Sequence, residues 1–392
     1  MIHYAIRIIQ LAAVVGTISG SVYYLICLGC AFVFLREQRA AGSRSTLTEA
    51  TPPVSILKPL KGTDPHIYEC LRSHCLQDYP AYEIIFGVSD ANDPAIATVK
   101  QLQSEFPSVG IKLIVCPKIL GANVKVSNLS QMMPTARYEH LIVNDSDIRV
   151  EADYLRRVIP PLADPNVGMV TCLYRGSAGP TLGSRLESLG ISTDFCAGVL
   201  AARQLEGGIR FGLGSTLAFR RSDLKRIGGF ESFADYLADD YELGRRIAGL
   251  GLKVELSDVV VETLLPPYSM RDFLKHQLRW SRAIRDARAG GYIGLIFTFG
   301  LMWAMLTVLS ASGARWSWEL LATVTFLRLF VALVVGRAVL ADRQVLRNLW
   351  LIPLRDITAV AVWIASFAGH TVSWRGDDFY LRNGKLSRVA PH

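Results

Sequence analysis

Two apolar patterns share this chain. Uncharged runs long enough to cross a bilayer lie near both ends, and short apolar runs that stop at polar or acidic residues fill the middle. The run from Ile8 to Leu35 has no charged side chain over 28 positions, where about 20 suffice to span the hydrocarbon core. No persuasive small-residue cleavage site follows it, and Arg36-Glu37-Gln38-Arg39 does. Residues 1–36 are therefore expected to form a retained anchor rather than a signal peptide. A polar Ala/Gly/Ser/Thr stretch, 37–52, reads as a linker. A second uncharged run covers Ala289 to Ala314, and spans are expected near 292–311 and 317–336. Arg328 falls inside the latter and should face protein or a polar cavity.

The last apolar stretch, near 349–374, is interrupted by Arg355-Asp356. A single crossing there would put Arg375, Arg382, Lys385 and Arg388 on the side that the positive-inside rule disfavours, so a re-entrant or interfacial segment is expected. Residues 291–374 are read as membrane segments and 375–392 as a basic tail.

The middle, 53–267, alternates between two periods. Val54-Ser55-Ile56-Leu57, 82–88, 111–116, 140–144 and 167–173 read as buried strands. Helices are expected between them, for example over His66–Cys75 and 94–106, where Ile96, Val99, Leu102 and Phe106 recur near 3.6 spacing. This alternation predicts a doubly wound α/β fold with a mostly parallel sheet. Residues 181–206 read as a helix that suits either core or lipid. Residues 268–290 read as an interfacial amphipathic helix, with Arg271, Lys275, Arg279, Arg282, Arg285 and Arg288 among Phe273, Leu274, Leu278 and Ile284.

Composition sharpens this picture. Apolar residues make up 51% of the 392, and the mean hydropathy is +0.28, too high for an ordinary soluble enzyme. The net charge of +8 sits beside apolar segments and within no nucleic-acid-binding motif, so it points to the membrane surface rather than nucleic acid. Arg36, Arg39 and Arg44 after the first span put the middle domain on the cytoplasmic side. The seven cysteines form no secreted framework, which fits a reduced compartment.

Candidate chemistry lies where apolar runs stop. Ile84-Ile85-Phe86-Gly87-Val88 leads into Ser89-Asp90-Ala91-Asn92-Asp93, and Leu141-Ile142-Val143 leads into Asn144-Asp145-Ser146-Asp147. A buried parallel strand delivers such a carboxylate to the sheet edge where ligands bind. Asp145 and Asp147, one residue apart, can hold a divalent cation that neutralises a diphosphate. Asp240, expected in the first turn of a helix over 239–250, could serve as a base. Lys58 and Lys125 are read as phosphate contacts or as surface charges. Histidines 3, 66, 74, 140, 370 and 392 show no metal-ligand spacing.

These residues, taken in order, resemble the membrane-bound family-2-like inverting glycosyltransferases, and within them the ceramide glucosyltransferase group, which includes bacterial hopanoid-associated enzymes. The likeness covers nearly the whole chain. It rests on Val54-Ser55-Ile56-Leu57-Lys58-Pro59-Leu60-Lys61-Gly62, Asp93-Pro94-Ala95, Lys125-Val126-Ser127-Asn128-Leu129, Asp145-Ser146-Asp147-Ile148-Arg149-Val150, Asp239-Asp240-Tyr241, Arg279-Trp280 and Ser373-Trp374-Arg375-Gly376. It implies a GT-A fold and transfer of one sugar from a UDP-sugar to a lipid hydroxyl at a bacterial inner membrane. In that likeness Asp90 and Asp93 contact the nucleoside, and Asp145 and Asp147 hold Mg2+ or Mn2+ with the diphosphate. Asp240 is the base, Arg279 stabilises the leaving diphosphate, and Trp280 lines the acceptor site. His276 stands where the Q/R-x-x-R-W motif has Gln or Arg. Asp147 is present where the eukaryotic ceramide branch tends to lack it, which favours the hopanoid branch over a glucosylceramide-forming enzyme. A processive polysaccharide synthase and a non-catalytic membrane scaffold are the competing readings. The first needs more spans, and the intact acidic set argues against the second.

Overall fold

The computed structural model describes residues 2–44, 51–374 and 377–388. Eight strands form one sheet: β1 Val54–Leu60, β2 Tyr82–Val88, β3 Gly110–Val115, β4 His140–Val143, β5 Ile148–Arg149, β6 Val167–Ser177, β7 Leu217–Arg220 and β8 Lys253–Leu264. Their order is β3-β2-β1-β4-β7-β6-β8-β5. β1 is buried at every position because it lies between parallel neighbours, with Val54 opposite both Tyr82 and His140. A strand covered on both faces needs continuous apolar sequence, which is why it was legible. Six strands run one way; β7 opposes β4 and β6, and β5 opposes β8. The sheet is thus the expected mostly parallel one, with two antiparallel insertions.

The first helix, Ile2–Arg44, is longer than expected. Its early turns expose Ile8, Ile9, Leu11, Val15, Ile18, Val22 and Leu25, while Cys27, Ala31 and Phe34 are buried in the same core as β1 and β2. Glu37 pairs with Arg203 at 2.6 Å, and Gln38 Nε2 donates to the Asp258 carbonyl at 2.9 Å. Residues 37–44, expected to be linker, therefore continue the anchor helix down the side of the α/β domain. Residues 45–50 lie outside the described ones.

A helical pair bent by 51°, Ala289–Thr298 and Gly300–Ser310, leads to Arg315–Val339. A Cβ on Gly20 would lie 2.2 Å from the Gly300 Cα, so two glycines let these backbones touch, as small residues do between membrane helices. Arg328 is 2% exposed and is paired with Asp356 at 2.9 Å and with Asp194.

Gln344–Ser366 is long and apolar enough to cross a membrane, and the residues flanking both its ends are hydrogen-bonded to the rest of the protein. Before it, the Leu340 carbonyl accepts from Arg175 at 3.2 Å, and the Asp342 carboxylate accepts from Ser192 at 2.8 Å. After it, the carbonyls of Ala368 and Gly369 accept from Arg282 at 2.7 Å and Arg285 at 3.1 Å. Its flanks are thus fastened to the α/β domain before it and to helix Met270–Ala287 after it.

The expected basic tail needs correcting. Thr371–Trp374, Asp377–Arg382 and Lys385–Arg388 form an antiparallel meander around Val372, Phe379, Leu381 and Leu386. It fastens to the domain where Leu237 N donates to the Gly384 carbonyl at 3.0 Å and Leu386 N to the Asp235 carbonyl at 2.7 Å. Alternating apolar positions bury one face of this short sheet, and the basic residues Arg382, Lys385 and Arg388 lie on the strands that build it.

Candidate active site

The loop after β4 is held from below. Asn144 Nδ2 donates to Tyr154 Oη at 3.0 Å and to the Ser215 carbonyl at 2.7 Å. Lys58 is fully buried in β1, and its Nζ donates to the Asp145 carbonyl at 3.0 Å. The same ammonium lies 3.3 Å from Nε2 of His74, whose Nδ1 donates to the Cys70 carbonyl at 3.0 Å. Burial pushes Lys58 down to about 8, with the Cys70 thiol and the carboxylates of Asp147 and Asp145 opposing. Lys58 is therefore neither surface charge nor open phosphate contact; it fixes the backbone of the loop that carries Asp145. His74, which spacing made look incidental, is its neutral partner: burial first, then Lys58, holds its pKa well down.

Above that support, four carboxylates and an ammonium converge. Lys125, in the first turn of helix Val124–Met132, contacts Asp145 at 2.7 Å and Asp239 at 2.9 Å. Burial alone would lower this lysine; Asp145, Asp239 and Asp240 together outweigh it and raise it above the ordinary range. Helix Asp239–Gly249 brings Asp240 into the cleft from its first turn. Asp240 Oδ2 accepts from Gly214 N at 2.8 Å and Oδ1 from Tyr241 N at 2.8 Å. A Cβ on Gly214 would stand 2.9 Å from Asp145 Oδ2 and 3.3 Å from Asp240 Oδ2. Gly214 thus lets both carboxylates close around one point. Burial, then the charge of Asp239, lifts Asp240 to about 6 against the pull of Lys125.

Asp147 accepts from Thr263 Oγ1 of β8 at 2.6 Å, and burial and Asp145 raise it to about 6. Asp64, which sequence reasoning did not single out, accepts from Ser146 Oγ at 2.7 Å and adds to the same negative field. Among the described residues no three His, Cys, Asp or Glu side chains are placed to hold a metal by themselves. Asp145 and Asp147 still fit a hard divalent cation: both are oxygen donors, and the charge of Asp145 raises the proton affinity of Asp147, which is repulsion a cation would relieve. The remaining positions would then come from ligand oxygens and water.

Asp90 and Asp93 lie one loop away. Asp93 takes Gly62 N at 3.1 and 3.0 Å and Ala95 N at 2.9 Å, which pins the loop after β1 at a residue of positive φ. Asp90 is exposed and closes a local turn with Asn92 N at 2.9 Å. The hydrogen bonds of these two carboxylates stay within the neighbouring loops.

Helix Met270–Ala287 carries Arg279 and Trp280, and Ser269 caps it by accepting from Asp272 N at 3.2 Å. Trp280 packs against Phe195 at 6.1 Å and His276 at 5.3 Å, and His276 stacks on Tyr268 at 5.4 Å between ring centroids. Burial, then Glu187 and Asp147, raises the Tyr268 phenol while Arg279 opposes. Tyr268 thus packs on this helix and lies within the field of Asp147. Acidic oxygens, an ammonium and an arginine-bearing helix at one sheet edge can bind a nucleoside diphosphate and take a proton from a hydroxyl.

Comparison with known proteins agrees. Residues 12–387 match Glycosyl transferase family 21. Ceramide glucosyltransferase 3 of Caenorhabditis elegans is 26% identical over 95% of this chain and 82% of that protein. Ceramide glucosyltransferase 1 of the same organism is 24% identical over 97% of this chain and 82% of that protein. A mannosyltransferase from Pyrobaculum calidifontis, solved with GDP-Man and Mn2+, superposes with a TM-score of 0.54 at 19% identity, over 93% of this chain and 98% of that one. That likeness carries the fold, and the sheet described above has its GT-A form. With the family match covering nearly the whole chain, the protein belongs to glycosyl transferase family 21 and is a hexosyltransferase.

Proposed function

We propose that this enzyme moves one sugar from a UDP-sugar to a hydroxyl of a membrane lipid, with inversion, by single displacement. The observation that carries the reading is the pairing of Asp145 and Asp240 around Gly214, with Lys125 bridging Asp145 and Asp239. A lipid hydroxyl is far too weak an acid to ionise alone, so a positioned carboxylate must take its proton in the transition state. Asp240, lifted to about 6, stays ionised at neutral pH and is a stronger base than an ordinary aspartate. Asp145 and Asp147 would hold Mg2+ or Mn2+, which supplies charge neutralisation for the diphosphate. Lys125 and Arg279 stabilise the departing UDP, and Trp280 borders the acceptor. Asp90 and Asp93 frame the nucleoside end.

The acceptor enters from the bilayer, because Arg279 and Trp280 stand on a helix that leads directly into the bent pair Ala289–Ser310. Catalysis then faces the cytoplasm of a bacterial inner membrane, where the UDP-sugar is dissolved. Asp147 supports a polyhydroxylated hopanoid as acceptor and UDP-N-acetylglucosamine or UDP-glucose as donor. The relatives' names support glucose and ceramide instead. The test incubates the purified enzyme in nanodiscs with each UDP-sugar and with ceramide or a hopanoid polyol, and reads the lipid product by mass spectrometry. One added hexose on a lipid is expected. Longer sugar chains, or transfer only to water-soluble sugars, would overturn the reading.

A further inference from the structure

Glu187 is 1% exposed in helix Leu182–Gly190, and neither the aspartate cluster nor the donor reading uses it. Both its oxygens are engaged by the helix that carries Arg279 and Trp280. Oε1 lies 3.2 Å from His276 Nδ1, and Oε2 accepts from Gln277 Nε2 at 2.9 Å. Gln277 Oε1 in turn accepts from Arg355 Nη2 at 3.2 Å. Arg355 reaches that amide from helix Ile352–Ser366 by passing over Gly190, where a Cβ would stand 2.4 Å from Arg355 Nε. The same guanidinium approaches Asp194 at 3.5 Å. His276 is the motif position at which this chain departs from Gln or Arg, and its side chain is 19% exposed beside Trp280 and Tyr268.

We propose that Glu187 is a positioning residue that fixes the tautomer and ring plane of His276, so that His276 Nε2 receives a hydrogen bond from a hydroxyl-bearing lipid headgroup. A carboxylate at Nδ1 keeps the proton on that nitrogen and leaves Nε2 as an acceptor. Stacking on Tyr268 and contact with Trp280 hold the ring in one plane, and the Arg355–Gln277 bond orients the Gln277 amide that holds the other oxygen of Glu187. Such outer partners commonly change the function of the group they orient by 10- to 100-fold. The inference rests on the lipid-acceptor reading above and adds the group that recognises the acceptor.

The test is a double-mutant cycle of Glu187→Gln and His276→Gln in nanodiscs, with acceptor and donor each varied. Glu187→Gln should raise the acceptor KM about 10-fold or more and leave the donor KM within about 2-fold. In the His276→Gln background the same change should have almost no further effect, because the two side chains act as one unit. Histidine-selective 15N spectra, with the His276 signal assigned by its loss in His276→Gln, should show Nδ1–H in the parent and a changed tautomer in Glu187→Gln. Additive effects, an equal loss in both KM values, or an unchanged His276 tautomer in Glu187→Gln would overturn the proposal. If the parent enzyme uses no lipid acceptor at all, the functional reading fails. The tautomer measurement still decides whether Glu187 controls His276.

Discussion

Two charged regions of this molecule are built by opposite rules. In the cleft, Asp145, Asp239 and Asp240 gather around Lys125 with Asp147 beside Asp145, and burial with mutual repulsion lifts Asp147 and Asp240 to about 6. At the membrane helices, Arg328 is clasped by Asp356, Asp194 and the Thr193 carbonyl, and Arg355 joins from the next helix. The first region has a surplus of negative charge, which makes room for a cation and a phosphate ester. The second pairs its charges on one another, which is what a guanidinium beside lipid requires. A surplus marks a place where something binds; closure marks a place where elements are joined.

The comparison can be broken most directly at Asp240. Asp240→Asn keeps shape and removes basicity, so turnover should fall by about 10²–10⁴-fold with UDP affinity retained. Near-normal turnover would remove Asp240 as base and leave the surplus without a chemical purpose.

The closed region should answer in stability instead. Arg328→Leu strands Asp356 and Asp194, and should lower unfolding stability by about 3–5 kcal/mol. Exchanging Arg328 and Asp356 together for leucine should recover much of that loss, since no lone charge is left buried at that pair. Thermal unfolding in detergent reads both. An equal loss in the single and the double variant would show that the ions do more than compensate one another.

Gly214→Ala sharpens the geometry of the cleft. The added methyl presses on Asp145 Oδ2 and Asp240 Oδ2. Misplacement of reacting groups by about 1 Å can cost about 10²-fold, and a shift of a few tenths should cost about 10-fold in kcat with little change in stability. A crystal or electron-microscopy structure of the variant would show whether the two carboxylates separate.

The smallest effect is in pH. Asp240 must be ionised to act, so kcat should fall about 10-fold per pH unit below about 6. Stability should move the other way. The folded-state values of Asp147 and Asp240 are raised, so their protonated forms favour the fold, and that contribution is lost as pH rises through about 6. Mg2+ or Mn2+ should restore it at neutral pH. A single pH trend shared by activity and unfolding would contradict the surplus-charge account.

Several parts of this arrangement could be read before any fold was known. β1 and β2 were legible because strands buried on both faces must be apolar throughout, and the anchor because lipid tolerates no free charge. Asp145, Asp147 and Asp240 were legible because each follows a strand or opens a helix. By contrast, β7 is only four residues long, β8 mixes polar with apolar positions, and both lie beside partners distant in sequence, so their local signal is weak. The C-terminal meander carries the charge of a tail, and only its packing on Leu237 makes it a sheet.

Lys58 shows the limit most clearly. Its type and its place at a strand end fit a phosphate contact, yet its Nζ is enclosed between His74 and the Asp145 carbonyl. Glu187 was read only as part of a helix, and its meaning comes from His276 and Gln277, about ninety positions away. Periodicity and strand-end chemistry are local properties, so the sequence by itself determined strands β1 to β4 and β6, the anchor and the identity of the acidic set. Which charges are buried, which pair with one another and which remain open to a ligand depends on chain segments that meet only on folding, and the tertiary structure decided those.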